Sequence, residues 1–342
     1  MEYKQLQIAD KIKEKISQGV YSKRLPTAVA MAEEFDVNVK TIQKAVNRLK
    51  NDGILTVSRK TGIQVNEDAI ITHTKGVIEI IYESYTGIFA HPFWSKIWSG
   101  VLETISKENY QIYLHKLDAD SKNGLLKFHN FKTIKAAGRI VLGVSDPLLF
   151  KELQSDNTPF IVAGDMLAEL KVPQVSFDFT KGITDAVKYL IDNNFQSIAF
   201  IGETKTFTDI GVLNKFHAYC AAMREYSKLD VNMIIDVDPL EHSGAIGLEK
   251  LLQANHIPDA IIAAYDTQVI AIHELIKKYN LNIKIVGCDG LELPGISPLR
   301  PQVIAPLKQC GEIAAQNLVN AIASRHKVKS EKLSAHFCVL GS

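Results

Sequence analysis

Apolar residues recur every fourth position at the start of the chain. Ile8, Ile12 and Ile16, with Ala9 beside them, place one buried stripe on a helix predicted over Lys4–Gln18 and closed by Gly19. Leu25-Pro26-Thr27 opens a second helix, because the Thr27 hydroxyl can accept from the free amides of the following turn. Met31, Ala32 and Phe35 form its inner face. Asp36-Val37-Asn38 reads as a turn, and a third helix is predicted from Val39 to Gly53 with Ile42, Val46 and Leu49 facing inward. Helical spacing then sends Lys40, Gln43, Lys44 and Asn47 to the opposite side. The runs Ile54–Val57 and Ile63–Val65, around Ser58-Arg59-Lys60-Thr61-Gly62, predict a hairpin with two cations at its tip. Residues 66–75 are polar at both ends and read as a linker.

From Gly76 the rhythm changes to strands separated by amphipathic helices. Strands are predicted at 77–82, 112–114, 139–142, 160–163 and 175–177, with a helix over Phe93–Glu108 whose apolar positions are 93, 94, 97, 98, 101, 102 and 105. A second series starts with a helix over Lys181–Asn193 and continues with strands at 198–201, 233–237, 260–264 and 283–287. This alternation predicts an α/β body of parallel sheets covered on both faces. Two successive series predict two lobes, and the cleft between them is the favoured place for a small ligand. The expected division is residues 1–65 for the small domain, 66–75 for the linker and 76–342 for the body.

Charge sharpens this division. Net charge is +1 overall, but residues 1–65 hold 12 Lys/Arg against 7 Asp/Glu while the remainder holds 27 against 31. A basic head on a mildly acidic body suits a polyanion at one end only. No stretch approaches the roughly 18 uninterrupted apolar residues of a membrane span. The charged N-terminus lacks an apolar signal core. The four cysteines, Cys220, Cys288, Cys310 and Cys338, have no paired metal spacing and read as buried thiols. A cytoplasmic protein is expected.

Two helices, a turn and a hairpin in this order make a winged helix-turn-helix, whose third helix fits the major groove of DNA. Residues 3–65 resemble the GntR family of bacterial transcription regulators. The residues that carry this are Leu25-Pro26-Thr27, Val39 to Val46, Leu49 and Asp52-Gly53-Ile54-Leu55. The resemblance implies that Thr27, Lys40, Thr41, Gln43 and Lys44 face the groove and that Arg59 and Lys60 reach DNA from the wing. The physical chemistry agrees, since lysines neutralise phosphates and a glutamine amide can pair with an adenine edge. Val29 and Val39 stand where the family usually carries arginines.

Residues 76–340 resemble the effector domain of LacI/GalR repressors, which shares the fold of periplasmic sugar-binding proteins. The resemblance rests on His91-Pro92-Phe93-Trp94 and the helix through Gly100, Ser197 to Gly202, Ala263-Ala264-Tyr265-Asp266, Ile285 to Gly290, and Pro306-Leu307 with Gly311, Ala314, Ala315 and Leu318. The combination is similar to the arabinose-repressor branch. It implies an effector site made by His91, Phe93, Trp94, Asp165, Lys215, Tyr265 and Asp289. Asp289 would accept ligand hydroxyls. Lys215 stands in place of a clamping arginine and Tyr265 in place of an asparagine. Gly164 takes the place of an aspartate, with Asp165 one position later. Phe93 and Trp94 could stack on a sugar, or belong to the core with Ile97 and Trp98.

No hydrolase, phosphate-loop or zinc-protease motif occurs. Asp165, Asp178 and Asp289 could do acid–base work, but carboxylates equally bind hydroxyls, so no enzyme, cofactor or metal is expected. The expected protein is a homodimeric, ligand-responsive transcription regulator, more readily a repressor, that binds operator DNA and is switched by a monosaccharide or derivative. The competing reading is a sugar-binding or sugar-processing protein whose N-terminal domain mainly mediates assembly.

Overall fold

A computed structural model describes residues 2–17, 20–58, 60–66, 75–83, 91–117, 134–144, 147–165, 171–205, 210–297 and 300–339. The chain divides into two units, Met1–Lys75 and Gly76–Ser342. Gly19, Arg59 and most of the expected linker lie outside the described residues.

The first unit contains α1 (Glu2–Ser17), α2 (Ala28–Glu34), α3 (Val39–Asn51), β1 (Leu55–Ser58) and β2 (Gly62–Val65). Ile8, Ile12, Met31, Ile42, Val46, Leu49, Leu55 and Val65 form its core. Thr27 caps α2 as expected, its Oγ1 accepting from the Ala30 amide at 3.2 Å. Asn38 caps α3 through Lys40 N–H at 2.9 Å. α3 ends at Asn51, two residues before the expected Gly53. Gly53, at φ +76°, lets Ile54 N–H return to Leu49 O (2.8 Å) and its own N–H to Lys50 O (3.0 Å). Those are the two bonds of a Schellman cap. Ile54 is thereby consumed by the cap, which is why the first wing strand starts at Leu55. Glu34 ties α1 to α2, accepting from Lys15 and from the Tyr21 hydroxyl (2.5 Å).

The second unit is two lobes, each built on one six-stranded sheet among the described residues. The first lobe contains β3 (Val77–Glu83), α4 (Pro92–Lys107), β4 (Gln111–Leu117), β5 (Gly138–Leu142), α5 (Pro147–Ser155), β6 (Phe160–Ala163) and β7 (Gln174–Asp178). The second contains α6 (Thr180–Asp192), β8 (Ile198–Gly202), α7 (Ile210–Glu225), β9 (Ile234–Asp236), α8 (Ser243–Gln253), β10 (Ala260–Ala263), α9 (Asp266–Tyr279), β11 (Lys284–Asp289) and β12 (Pro301–Ile304). The chain then returns to the first lobe through α10 (Leu307–Ser324) and β13 (Glu331–Ser334), and crosses again into β14 (His336–Val339).

The first sheet runs β13-β7-β6-β5-β3-β4 and is parallel throughout. The second runs β14-β12-β11-β10-β8-β9, parallel except that β14 lies antiparallel on β12. Central strands β5, β6, β8 and β10 are buried along their whole length, as helices on both faces require. The strand expected at 233–237 is shorter because Asp230 caps a single 3-10 turn ending at Met233.

Candidate functional site

In the first unit, α3 has two faces. Ile42, Ala45, Val46 and Leu49 are buried, while Lys40, Gln43, Lys44, Asn47 and Arg48 are exposed and Thr41 is half-buried. Lys60 is exposed at the wing tip, where the Thr61 amide donates to Ser58 Oγ (3.0 Å) and closes the turn. Arg59 lies outside the described residues. Thr27 Oγ1 is engaged as an acceptor by the cap, which leaves the hydroxyl proton unused by that bond. Val29 is 56% exposed, so the position where the resemblance expects an arginine presents a bare apolar side chain. The face missed by sequence reasoning includes Arg24, which reaches the wing through long-range pairing with Gln64.

In the second unit the functional candidates gather at the C-terminal ends of parallel strands, where open α/β sheets bind ligands. On the first lobe, His91 precedes α4, and Phe93 and Trp94 lie in its first turn. The Trp94 ring packs on Gly143 and Gly164, just past β5 and β6. A Cβ on Gly164 would come within 2.9 Å of Trp94 Cζ3. These glycines, at φ +63° and +107°, provide the flat seat the indole needs. His91 Nδ1 is buried with no hydrogen-bond partner among the described residues, and burial pushes the imidazole pKa down. Asp165 turns to its own lobe, accepting from the Phe177 amide at 2.7 Å.

On the second lobe, Lys215 (α7), Tyr265 (before α9) and Asp289 (end of β11) come together. Lys215 Nζ donates to Asp289 Oδ1 and to Ala264 O, both at 2.7 Å. It also lies 4.2 Å from the Phe179 ring centroid and 5.2 Å from that of Tyr265. A carboxylate, a carbonyl and two π faces thus surround one ammonium. The expected hydroxyl acceptor, Asp289, is already engaged. It is 4% exposed, accepts from the Lys215 ammonium at Oδ1 and from the Asp266 amide at Oδ2 (3.3 Å), and sits at φ +121°. That backbone region disfavours any side chain, so these contacts hold a strained residue in place. Burial pushes the Asp289 carboxyl up to about 7 against the opposing pull of Lys215. The Tyr265 hydroxyl donates to Glu203 at 2.5 Å.

A second ion pair, not anticipated from sequence, abuts this one. Asp266 accepts from Arg300 Nη2 (3.0 Å) and from the Leu291 amide (2.5 Å), and its carboxyl is also pushed up by burial. Asp178, the third carboxylate expected in the cleft, is partly exposed and accepts from the Thr180 amide at the start of α6 at 2.9 Å. The three aspartates therefore each bond a different partner among the described residues. Among the described residues no His/Cys/Asp/Glu group is arranged to hold a metal.

The two half-sites are linked through the first chain crossing. Phe93 meets Trp94 edge-on at 4.9 Å and Phe177 at 6.1 Å, Phe177 meets Phe179 at 6.0 Å, and Phe179 carries the Lys215 ammonium. Lys96 on α4 crosses directly, donating to Gly290 O at 3.3 Å. Two open surface hollows, one lined by α8 and α9 and one by α4 and α10, contain none of these residues.

Comparison with known proteins agrees with both halves. Residues 4–65 match the bacterial regulatory proteins of the gntR family, and residues 75–336 match the periplasmic binding proteins and sugar-binding domain of the LacI family. The chain is 24% identical to catabolite control protein A of Priestia megaterium, covering 85% of this chain and 91% of that protein. It is 21% identical to the arabinose metabolism transcriptional repressor of Geobacillus stearothermophilus, covering 88% and 86%. Among solved structures, the complex of the transcriptional regulator CelR with cellobiose superimposes with a TM-score of 0.66 at 19% identity, covering 92% of this chain and 99% of that one.

Proposed function

This chain belongs to the family of periplasmic binding proteins and LacI-type sugar-binding domains, joined to a gntR-type regulatory head, and from that premise we propose that it is a DNA-binding transcription regulator switched by a small polyhydroxylated ligand. The exposed α3 face with Lys40, Gln43 and Lys44 reads one operator half-site. A homodimer reads the two halves of a palindrome. The observation that carries the sensing role is the pairing of an aromatic platform, Phe93 and Trp94, with the Lys215–Asp289 ion pair across two linked lobes. A sugar offers apolar C–H faces to the first and hydroxyls that both donate and accept to the second.

The relatives' names include a repressor of arabinose metabolism and a regulator crystallised with cellobiose. They support repression as the output and a neutral saccharide as the signal. We assign no catalytic role: the buried carboxylates Asp266 and Asp289 are each held by a cation. The competing reading, in which the head mainly mediates assembly, has its best support in Val29 and Val39, and the gntR match favours DNA binding instead.

Thermal unfolding against neutral pentoses, hexoses and disaccharides, sugar acids, sugar phosphates and nucleobases tests the assignment. A ligand at about 100 times its Kd adds about 2.7 kcal/mol, a shift of several degrees. The expected result is a shift confined to neutral saccharides, and the same compound lowers DNA affinity. A shift confined to nucleobases or sugar phosphates would overturn the proposed ligand class. No response in either assay would leave the sensor role without support.

A further inference from the structure

The two-stranded wing of the first unit is extended at its edge by an antiparallel bridge from residues 23–25. Leu25 N–H donates to Ile63 O (3.0 Å), Val65 N–H donates to Lys23 O (3.1 Å), and Arg24 bridges Gln64 in antiparallel register. Strand alternation then assigns the faces. Leu55 and Val65 are buried, so Thr56, Ser58 and Gln64 point outward. Arg24, opposite Gln64, points outward with them. Gly62, two residues from Gln64, is its diagonal neighbour on that face.

The Arg24 guanidinium lies across this glycine. A Cβ on Gly62 would sit 3.2 Å from Arg24 Nη2 and 3.4 Å from Nε. Gly62 is at φ +77°, so the turn needs glycine on backbone grounds as well. The missing side chain leaves the track in which the guanidinium runs toward the wing tip and Lys60. Arg24 is exposed, and among the described residues no carboxylate pairs with it. A cation steered along a wing, with no counter-ion among the described residues, is presented to an external anion.

We propose that Arg24 is a DNA-phosphate contact, carried on the outward face of the wing and standing in for the cation that α2 lacks at Val29. A guanidinium can take a phosphate with two parallel hydrogen bonds. The inference rests on the DNA-binding reading above, and the test separates the two.

DNA affinity of the full-length protein is measured by fluorescence anisotropy over a salt series. The probe is a mixed-sequence duplex long enough for two half-sites. Arg24→Gln is expected to lower the slope of log affinity against log salt by about one unit per bound head, with an unchanged melting midpoint. Arg24→Lys should keep the slope, since it keeps the charge, while binding more weakly. If Lys40→Ala lowers the slope and Arg24→Gln leaves it as in the parent, Arg24 does not touch phosphate and the proposal is overturned while the DNA reading stands. If neither variant changes the slope, the α3–wing interface is misassigned and the proposal falls with it.

Discussion

Lys215 and Asp289 are 74 residues apart, and their 2.7 Å contact organises the proposed ligand half-site of the second lobe. Both are almost fully buried, so removing one leaves the other without its counter-charge. Breaking such a pair costs on the order of 3–5 kcal/mol. Asp289→Asn and Lys215→Met should each lower stability in denaturant titration, and the double variant should lose clearly less than the sum. Additive losses would mean that the pair is not coupled. The same carboxyl sets a pH dependence. Its folded pKa, about 7, is raised above the ordinary 3.8. The native state therefore binds this proton more tightly than the unfolded chain. The contribution is fully present below pH 3.8 and is lost as pH rises through 7. Asp289→Asn should flatten the fall in stability between pH 4 and 7, and an unaltered profile would exclude Asp289 as its source. The sequence made these residues visible as candidates through their motif positions. It could not show that Lys215 turns onto Asp289, that Arg300 holds Asp266, or that Arg24 reaches Gly62, because each depends on register and packing between distant segments.

At the level of elements, the helices and central strands were legible because each is long enough to express its period. The apolar positions of α4 and the continuous apolar runs of β5, β6 and β10 read directly from the chain. The elements that escaped were short or polar. Glu331–Ser334 is exposed at all but Leu333, and His336–Val339 is an edge strand whose antiparallel partner is set by the third chain crossing. The sequence also marked Gly100 and Gly311 without giving their reason. They are where α4 and α10 meet backbone to backbone: a Cβ on Gly100 would sit 2.1 Å from Lys308 O, and one on Gly311 would sit 1.9 Å from Ile97 O. These are rigid helical carbonyls, so the helices themselves must separate. Gly100→Ala, although favourable for helix propensity, should therefore destabilise the second unit by about 1–3 kcal/mol, as overpacking does. A melting midpoint equal to the parent's would show that the helices tolerate the separation. Leu102→Ala, on the exposed side of the same helix, is the matched control.

At the scale of the whole molecule, a sensor must make DNA affinity depend on ligand occupancy, and that requires the ligand to prefer one arrangement of the lobes. The lobes share three chain crossings, and the first carries Phe179, buried between the aromatic platform and the Lys215 ammonium. Its ring is the point where a change in lobe angle alters an electrostatic contact as well as packing. Phe179→Leu keeps an apolar side chain there but removes the π face. The ligand groups of both half-sites remain, so a saccharide that stabilises the parent should still raise the melting midpoint of the variant. The ratio of DNA affinities without and with ligand should shrink. A cation–π contact of about 1 kcal/mol corresponds to a roughly fivefold loss in that ratio. Anisotropy titrations with and without saturating ligand read the ratio directly, and thermal shift confirms saturation in both proteins. If the ratio is unchanged while ligand still binds, coupling passes through the other connections, of which the Lys96–Gly290 bond is the next to cut. If ligand binding itself disappears, Phe179 belongs to the ligand half-site rather than to the linkage between lobes.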